Sequence, residues 1–194
     1  MTIVGKHFLE SSKVILSLQN FEKEINEITE SFLKCDKNKK KILIAGNGGS
    51  CSDAEHFVGE LLCTFNKKDR KPFSAIPLTS PSSALTAWCN DFEFESFFKR
   101  QVDAHGKEGD ILFLLSTGGG NLTGSKPSAN LVYAAEEAIK KKMKIISLVG
   151  KGGGELIKIS SVYIHVKSQN TAYIQEAHMS ILHCVCEVID NGKI

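Results

Sequence analysis

A chain of 194 residues, 42% hydrophobic and 24% charged, is long enough to bury roughly 70% of the surface its unfolded state exposes, and too rich in aliphatic residues to stay disordered. Its net charge of +2 lacks the basic excess of a nucleic-acid binder, and the lysines at Lys39 to Lys41, Lys67 to Lys71 and Lys140 to Lys144 fall where helices are expected to end or strands to begin. Six scattered cysteines without a Cys-x-x-Cys pair read as reduced thiols, and the absence of a signal-peptide pattern or a bilayer-length apolar run gives the expectation of a cytoplasmic protein with no membrane partner.

In chain order, apolar residues recur at helical spacing from His7 to Phe32 (Phe8, Ile15, Leu18, Phe21, Ile25, Ile28, Phe32) and predict one long amphipathic helix. Residues 1–38 are thus an N-terminal helical segment expected to serve oligomerisation. A strand is predicted at Lys41 to Ala45, then the turn Gly46-Asn47-Gly48-Gly49-Ser50 and a helix from Asp53 to Phe65. A second strand is expected at Phe73 to Leu78, and Ser80-Pro81-Ser82 is a helix-start signal. A helix around Phe94 to Ala104, a strand at Asp110 to Leu115, a polar turn from Ser116 to Pro127 and a helix from Ser128 to about Lys142 follow. The chain closes with strands at Lys144 to Val149 and Ser161 to Val166, separated by the turn Gly150 to Gly154, and a helix from Thr171 to Ile189. Near-continuous apolar strands alternating with helices imply an α/β fold in three layers, a five-stranded parallel sheet covered on both faces, in one domain over 1–194.

In such sheets ligands bind beyond the carboxyl ends of the strands, where helix N-termini aim free N–H groups outward. The Gly46 to Ser50 turn lets backbone approach an anion closely, and Ser116-Thr117-Gly118-Gly119-Gly120-Asn121 adds two hydroxyls and more flexible donors. The first turn has Cys51 where a dinucleotide fingerprint has its third glycine, and neither ends in the Lys-Ser/Thr of a P-loop, so phosphate or phosphosugar is favoured over NAD or ATP. The plainer alternative is that both are tight connections.

His56 and Glu60 stand four apart on one helix face and could share a metal or a substrate, or simply be a solvated pair. The last helix carries Gln175, Glu176, His178 and His183 among apolar neighbours. Gln175 and His183 are two turns apart, about 12 Å along the axis, so a single ion would take both only if their side chains leaned together or different subunits supplied them.

Taken together, GNGGSCSDAEHFVGELL, the pair Asn90-Asp91, LST at Leu115 to Thr117 and NTAYIQEAHMSILHCVCEVID resemble the phosphoheptose isomerases, a branch of the sugar-isomerase (SIS) domain family, over nearly the whole chain. The resemblance implies a flavodoxin-like SIS domain with an added N-terminal helix and a homotetramer with active sites between subunits. The implied activity is conversion of sedoheptulose 7-phosphate to D-glycero-D-manno-heptose 7-phosphate, the first step toward activated heptose for lipopolysaccharide, capsule or other surface glycans. It also implies one zinc per subunit on His56, Glu60, Gln175 and His183, with Glu60 as catalytic base and His183 as acid. Substrate would be held by Asn47, Gly48, Gly49, Ser50, Glu60, Asn90, Asp91, Ser116, Thr117, Gly118, Ser128 and Gln175. The chain departs from the family pattern at Thr64, usually arginine, at Pro81, usually aspartate, at Asn170 and Tyr173, usually aspartate and arginine, and in a lengthened loop after Thr117. Those departures surround the sugar and phosphate, so the alternatives are an isomerase of another phosphosugar, or a non-catalytic SIS protein that binds phosphosugar or associates with a replication initiator.

Overall fold

The computed structural model describes residues 1–192. The elements follow in the order α1 (Ile3–Ser17), a 3₁₀ turn (Leu18–Phe21), α2 (Glu22–Lys37), β1 (Ile42–Gly46), α3 (Gly49–Leu62), β2 (Ala75–Pro77) and α4 (Ser82–Asp91). Then come a second 3₁₀ turn (Phe94–Ser96), α5 (Phe97–His105), β3 (Ile111–Ser116), α6 (Ala129–Lys140), β4 (Lys144–Val149), α7 (Leu156–Ile159), β5 (Val162–His165) and α8 (Thr171–Asn191).

All five strands are parallel, in the order β2-β1-β3-β4-β5. Successive side chains of a strand point to opposite faces, and the sheet divides its apolar residues accordingly. Ile42 and Ile44 of β1 and Phe113 and Leu115 of β3 pack under α2, α3 and α8. Leu43 and Ala45 of β1 and Leu112 and Leu114 of β3 pack on α5 and α6. The three-layer α/β sandwich expected from the strand pattern is therefore present. The chain runs outward from β1 to β2 and then returns to place β3 on the other side of β1, so a crevice opens between the carboxyl ends of β1 and β3, with Gly46 in register with Leu115.

The N-terminal segment differs from the single helix predicted. It is two helices joined by a 3₁₀ turn. Ser17 donates its hydroxyl to the Val14 carbonyl (2.7 Å), and Asn20 its amide to the Ser17 carbonyl (3.0 Å); such local bonds compete with the α-helical ladder. Leu18 and Phe21, three apart, suit the tighter period. β2 is shorter than expected because it is an edge strand that reaches Pro77, which has no N–H to continue a ladder. The short α7 was not anticipated. α8 runs two residues further than predicted and stops at Gly192, whose φ of 62° closes the helix in the left-handed region.

Two elements are poorly covered. α1 has no buried residue and leaves Ile3 90%, Phe8 68% and Leu16 67% exposed, and α4 also has no buried residue. Among the described residues no helix is long and apolar enough to cross a membrane.

Candidate active site

The crevice at the β1/β3 switch is built from glycines that the local geometry requires. A Cβ at Gly46 would run into the backbone of Ser50, so the chain can turn directly into α3 only without one. Gly48, with φ of 57°, precedes that helix, and a Cβ at Gly49 would collide with the side-chain amide of Gln175, which reaches over from the first turns of α8. Ser50 is buried beneath this turn. Asn47 crosses the crevice: its amide donates to Asn130 Oδ1 (2.9 Å) and its oxygen accepts from Asn130 Nδ2 (2.9 Å), with Ser128 Oγ at 3.4 Å. Asn130 lies in the first turn of α6 and is missing from the sequence-based site. A pair of asparagines far apart in the chain carries no local pattern that would reveal it.

On the β3 side, Ser116 Oγ accepts from the Gly119 N–H at 3.0 Å, which curls the turn back on its strand. The glycines beyond it nest against the turn after β4, since a Cβ on Gly119 would strike Gly153 and one on Gly154 would strike Gly120. The N–H groups of Glu155 and Leu156 donate to Gly120 and Gly119 (3.0 and 2.9 Å). Thr117, Gly118 and Ser128 line a polar groove with Lys151. The lengthened loop closes through a 3.0 Å bond from Asn121 N–H to the Pro127 carbonyl.

A second group lies further along α3 and α8. These two helices run side by side in the same direction, with Gln175 beside Gly49 and His183 beside His56. His56 Nε2 is 3.0 Å from Glu60 Oε1, with side chains 47% and 24% exposed. The His183 ring meets His56 edge-on at 5.2 Å between centroids and stacks on Phe65 at 5.6 Å and 22°. One turn upstream, Asp53 keeps a buried carboxylate oxygen without a partner. Burial raises its pKa, and the nearby His56 pulls it partly back.

The sequence-predicted residues therefore fall into three groups in one chain. Asn47, Gly48, Gly49, Ser50, Ser116, Thr117, Gly118, Ser128 and Gln175 surround the strand ends. His56 and Glu60 lie seven and eleven residues beyond Gly49, about 10–16 Å down the helix axis, and His183 lies eight residues beyond Gln175 on α8, beside them. Asn90 and Asp91 sit at the end of the exposed α4, where the Asn90 amide donates to Asp91 (2.8 Å). Two imidazoles and a carboxylate are donors that zinc accepts, yet among the described residues no three His, Cys, Asp or Glu side chains converge on an ion position. Gln175 instead lies against Gly49, two turns from His183. His178 is the core histidine of α8: it is fully buried, and burial holds its pKa down at about 4.

Of the departing residues, Asn170 caps α8 by accepting from the Ala172 N–H at 2.9 Å, a task an aspartate performs equally well. Tyr173 packs on His7 at 5.1 Å, and Thr64 is exposed.

Residues 7–150 match the SIS domain family. The chain is 40% identical over 192 residues, 99% of its length and 99% of the relative's, to phosphoheptose isomerase 1 of Campylobacter jejuni. Among solved structures it is similar to a phosphoheptose isomerase from Neisseria gonorrhoeae (TM-score 0.87, 35% identity, covering 97% of both chains). It is likewise similar to one from Francisella tularensis (TM-score 0.88, 35% identity, covering 98% of this chain and 100% of the other).

Proposed function

Because the chain belongs to the SIS domain family, in its phosphoheptose isomerase branch, we propose that it interconverts sedoheptulose 7-phosphate and D-glycero-D-manno-heptose 7-phosphate. The observation that carries the mechanism is the meeting of Glu60, His56 and His183 where α3 and α8 lie together. Glu60 takes a proton from C1 of the ketose while His183 protonates the C2 oxygen, giving a 1,2-enediol. Glu60 then returns a proton to C2, and His183 recovers one from the C1 hydroxyl as the aldehyde forms. Protons and electrons balance without a redox cofactor, and a carboxylate and an imidazole suffice as base and acid. Asn47, Gly48, Gly49 and Ser50 on one side of the crevice, and Ser116, Thr117, Gly118 and Ser128 on the other, bind the phosphosugar through backbone N–H and hydroxyl groups.

Zinc belongs to this proposal through its donor set. His56, Glu60 and His183 would hold it once the His56–Glu60 contact opens, and Gln175 would have to join from another position than its place beside Gly49. Bound there, the ion supplies Lewis-acid polarisation of the sugar carbonyl. We further propose a cytoplasmic homotetramer with its sites between subunits. The apolar face of α1 and the uncovered α4, which carries Asn90 and Asp91, support an assembly in which a neighbour completes the site.

A coupled assay with a heptose 7-phosphate kinase tests the activity. Wild-type protein is expected to turn over sedoheptulose 7-phosphate, and Glu60→Gln to lose at least ~100-fold of the rate, the upper part of the range for general-base catalysis. Binding without turnover would instead identify a phosphosugar sensor, and turnover of a different ketose phosphate would trace to the lengthened 117–128 loop.

A further inference from the structure

His183 owes its orientation to ring contacts, and the larger of these faces is Phe65, which stacks on the imidazole at 22°. Phe65 lies just past the end of α3, in a segment with no regular structure of its own. That segment is tied to α8. The N–H groups of Asn66 and Lys67, the two residues after Phe65, both donate to Asp190 Oδ2 at 2.7 and 2.8 Å. Asp190 stands seven residues beyond His183 on α8, two turns along the same face. Its other oxygen is 2.8 Å from Arg70 Nε, a contact of charge, and the two side chains are only 8% and 3% exposed.

The Arg70 guanidinium then reaches the last turn of α3. It donates to the carbonyls of Glu60 and Leu61, the latter at 3.0 Å, and to Lys71 at 3.0 Å. Carbonyls in the last turn of a helix have no partner within it, and a planar fork of donors can satisfy two at once where an ammonium cannot. One buried ion pair thus joins the turn that carries Glu60, the segment that carries Phe65 and the helix that carries His183.

We propose that Arg70 and Asp190 form a clamp that positions Glu60 directly and His183 through Phe65, so that Arg70, Asp190 and Phe65 are positioning residues for the proton transfers. The proposal rests on the reading of Glu60 and His183 as base and acid. A displacement of about 1 Å can cost 10²-fold in rate while leaving substrate affinity intact, so the clamp is expected to act on kcat and not on KM.

The test compares Arg70→Lys, Phe65→Leu and Phe65→Tyr with Lys41→Met. The last variant breaks a different ion pair, between Lys41 and Asp110 at the opening of β1, remote from the groups that move protons. Arg70→Lys and Phe65→Leu are expected to lower kcat about 10- to 100-fold with KM within about twofold, Phe65→Tyr to restore most of the loss, and Lys41→Met to lower the melting temperature with kcat unchanged well below it. Wild-type kcat in Phe65→Leu and Arg70→Lys, with only the melting temperature reduced, would overturn the clamp. If Arg70→Lys does not fold, the Phe65 pair decides alone, because that side chain carries no hydrogen bond or charge. Full turnover in Glu60→Gln would sink the base assignment itself, independently of the clamp.

Discussion

The reciprocal amide pair between Asn47 and Asn130 ties the β1 turn to α6 with two 2.9 Å hydrogen bonds, and its energetics are asymmetric. Asn130 is 2% exposed, and its oxygen also accepts from the Leu131 N–H at 3.0 Å. Asn47→Ala therefore leaves the Asn130 amide protons in a closed environment without an acceptor, a loss of about 1–3 kcal/mol. Chemical denaturation should show a lowered midpoint with an unchanged slope, and KM for the phosphosugar should rise because the β1 turn loses its tether. An unchanged midpoint would mean that water replaces the partner. At this scale the sequence was informative only where a residue type was forced by backbone. Gly46 and Gly49 were legible because nothing larger fits, whereas Asn130, Arg70 and Asp190 were invisible, since partners 83 and about 120 residues apart leave no local spacing to read.

Among the elements, the strands were read best where they are interior. β4 was predicted with its observed bounds, and β3 within one residue at each end, because burial on both faces demands an unbroken apolar run. Boundaries failed where side chains compete with backbone, as at Ser17 and Asn20, or where proline ends an edge strand, as at Pro77. The site was legible by element but not by assembly. Helical periodicity put His56 and Glu60 on one face of α3, yet only packing brings His183 beside them and keeps Gln175 at the other end of α8. α1 and α4 share the same incompleteness, since each forms a helix without burying a residue, and most helical stability in water comes from packing an apolar face. Light scattering on the purified protein should return about 85 kDa, four times the 21.2 kDa chain. Charge introduced at the exposed Phe8 as Phe8→Lys should shift the assembly toward smaller species and reduce activity with it. A monomeric, fully active wild type would refute both the assembly and a site shared between subunits.

For the molecule as a whole, the buried imidazole of His178 sets a pH limit on stability. Burial disfavours its charged form, since neither ring nitrogen has a hydrogen-bond partner, and holds its pKa at about 4 against 6.5 for the free side chain. In the unfolded chain His178 takes up a proton as pH falls through 6.5, while the folded chain refuses it until about 4. Between those values the unfolded state binds more protons, so folding stability must rise with pH. The contribution is complete above pH 6.5 and is withdrawn progressively on acidification, by roughly 3 kcal/mol at pH 4 for a shift of this size. Unfolding free energies measured from pH 7.5 to 4 should slope accordingly in the wild type. In His178→Leu, which puts an apolar side chain in the same core position, that part of the slope should vanish, although the variant also changes the packing and so has a different stability at neutral pH. An identical slope in the two proteins would show that carboxylates elsewhere govern the acid limb, and that the energetic weight assigned to this one buried histidine is misplaced.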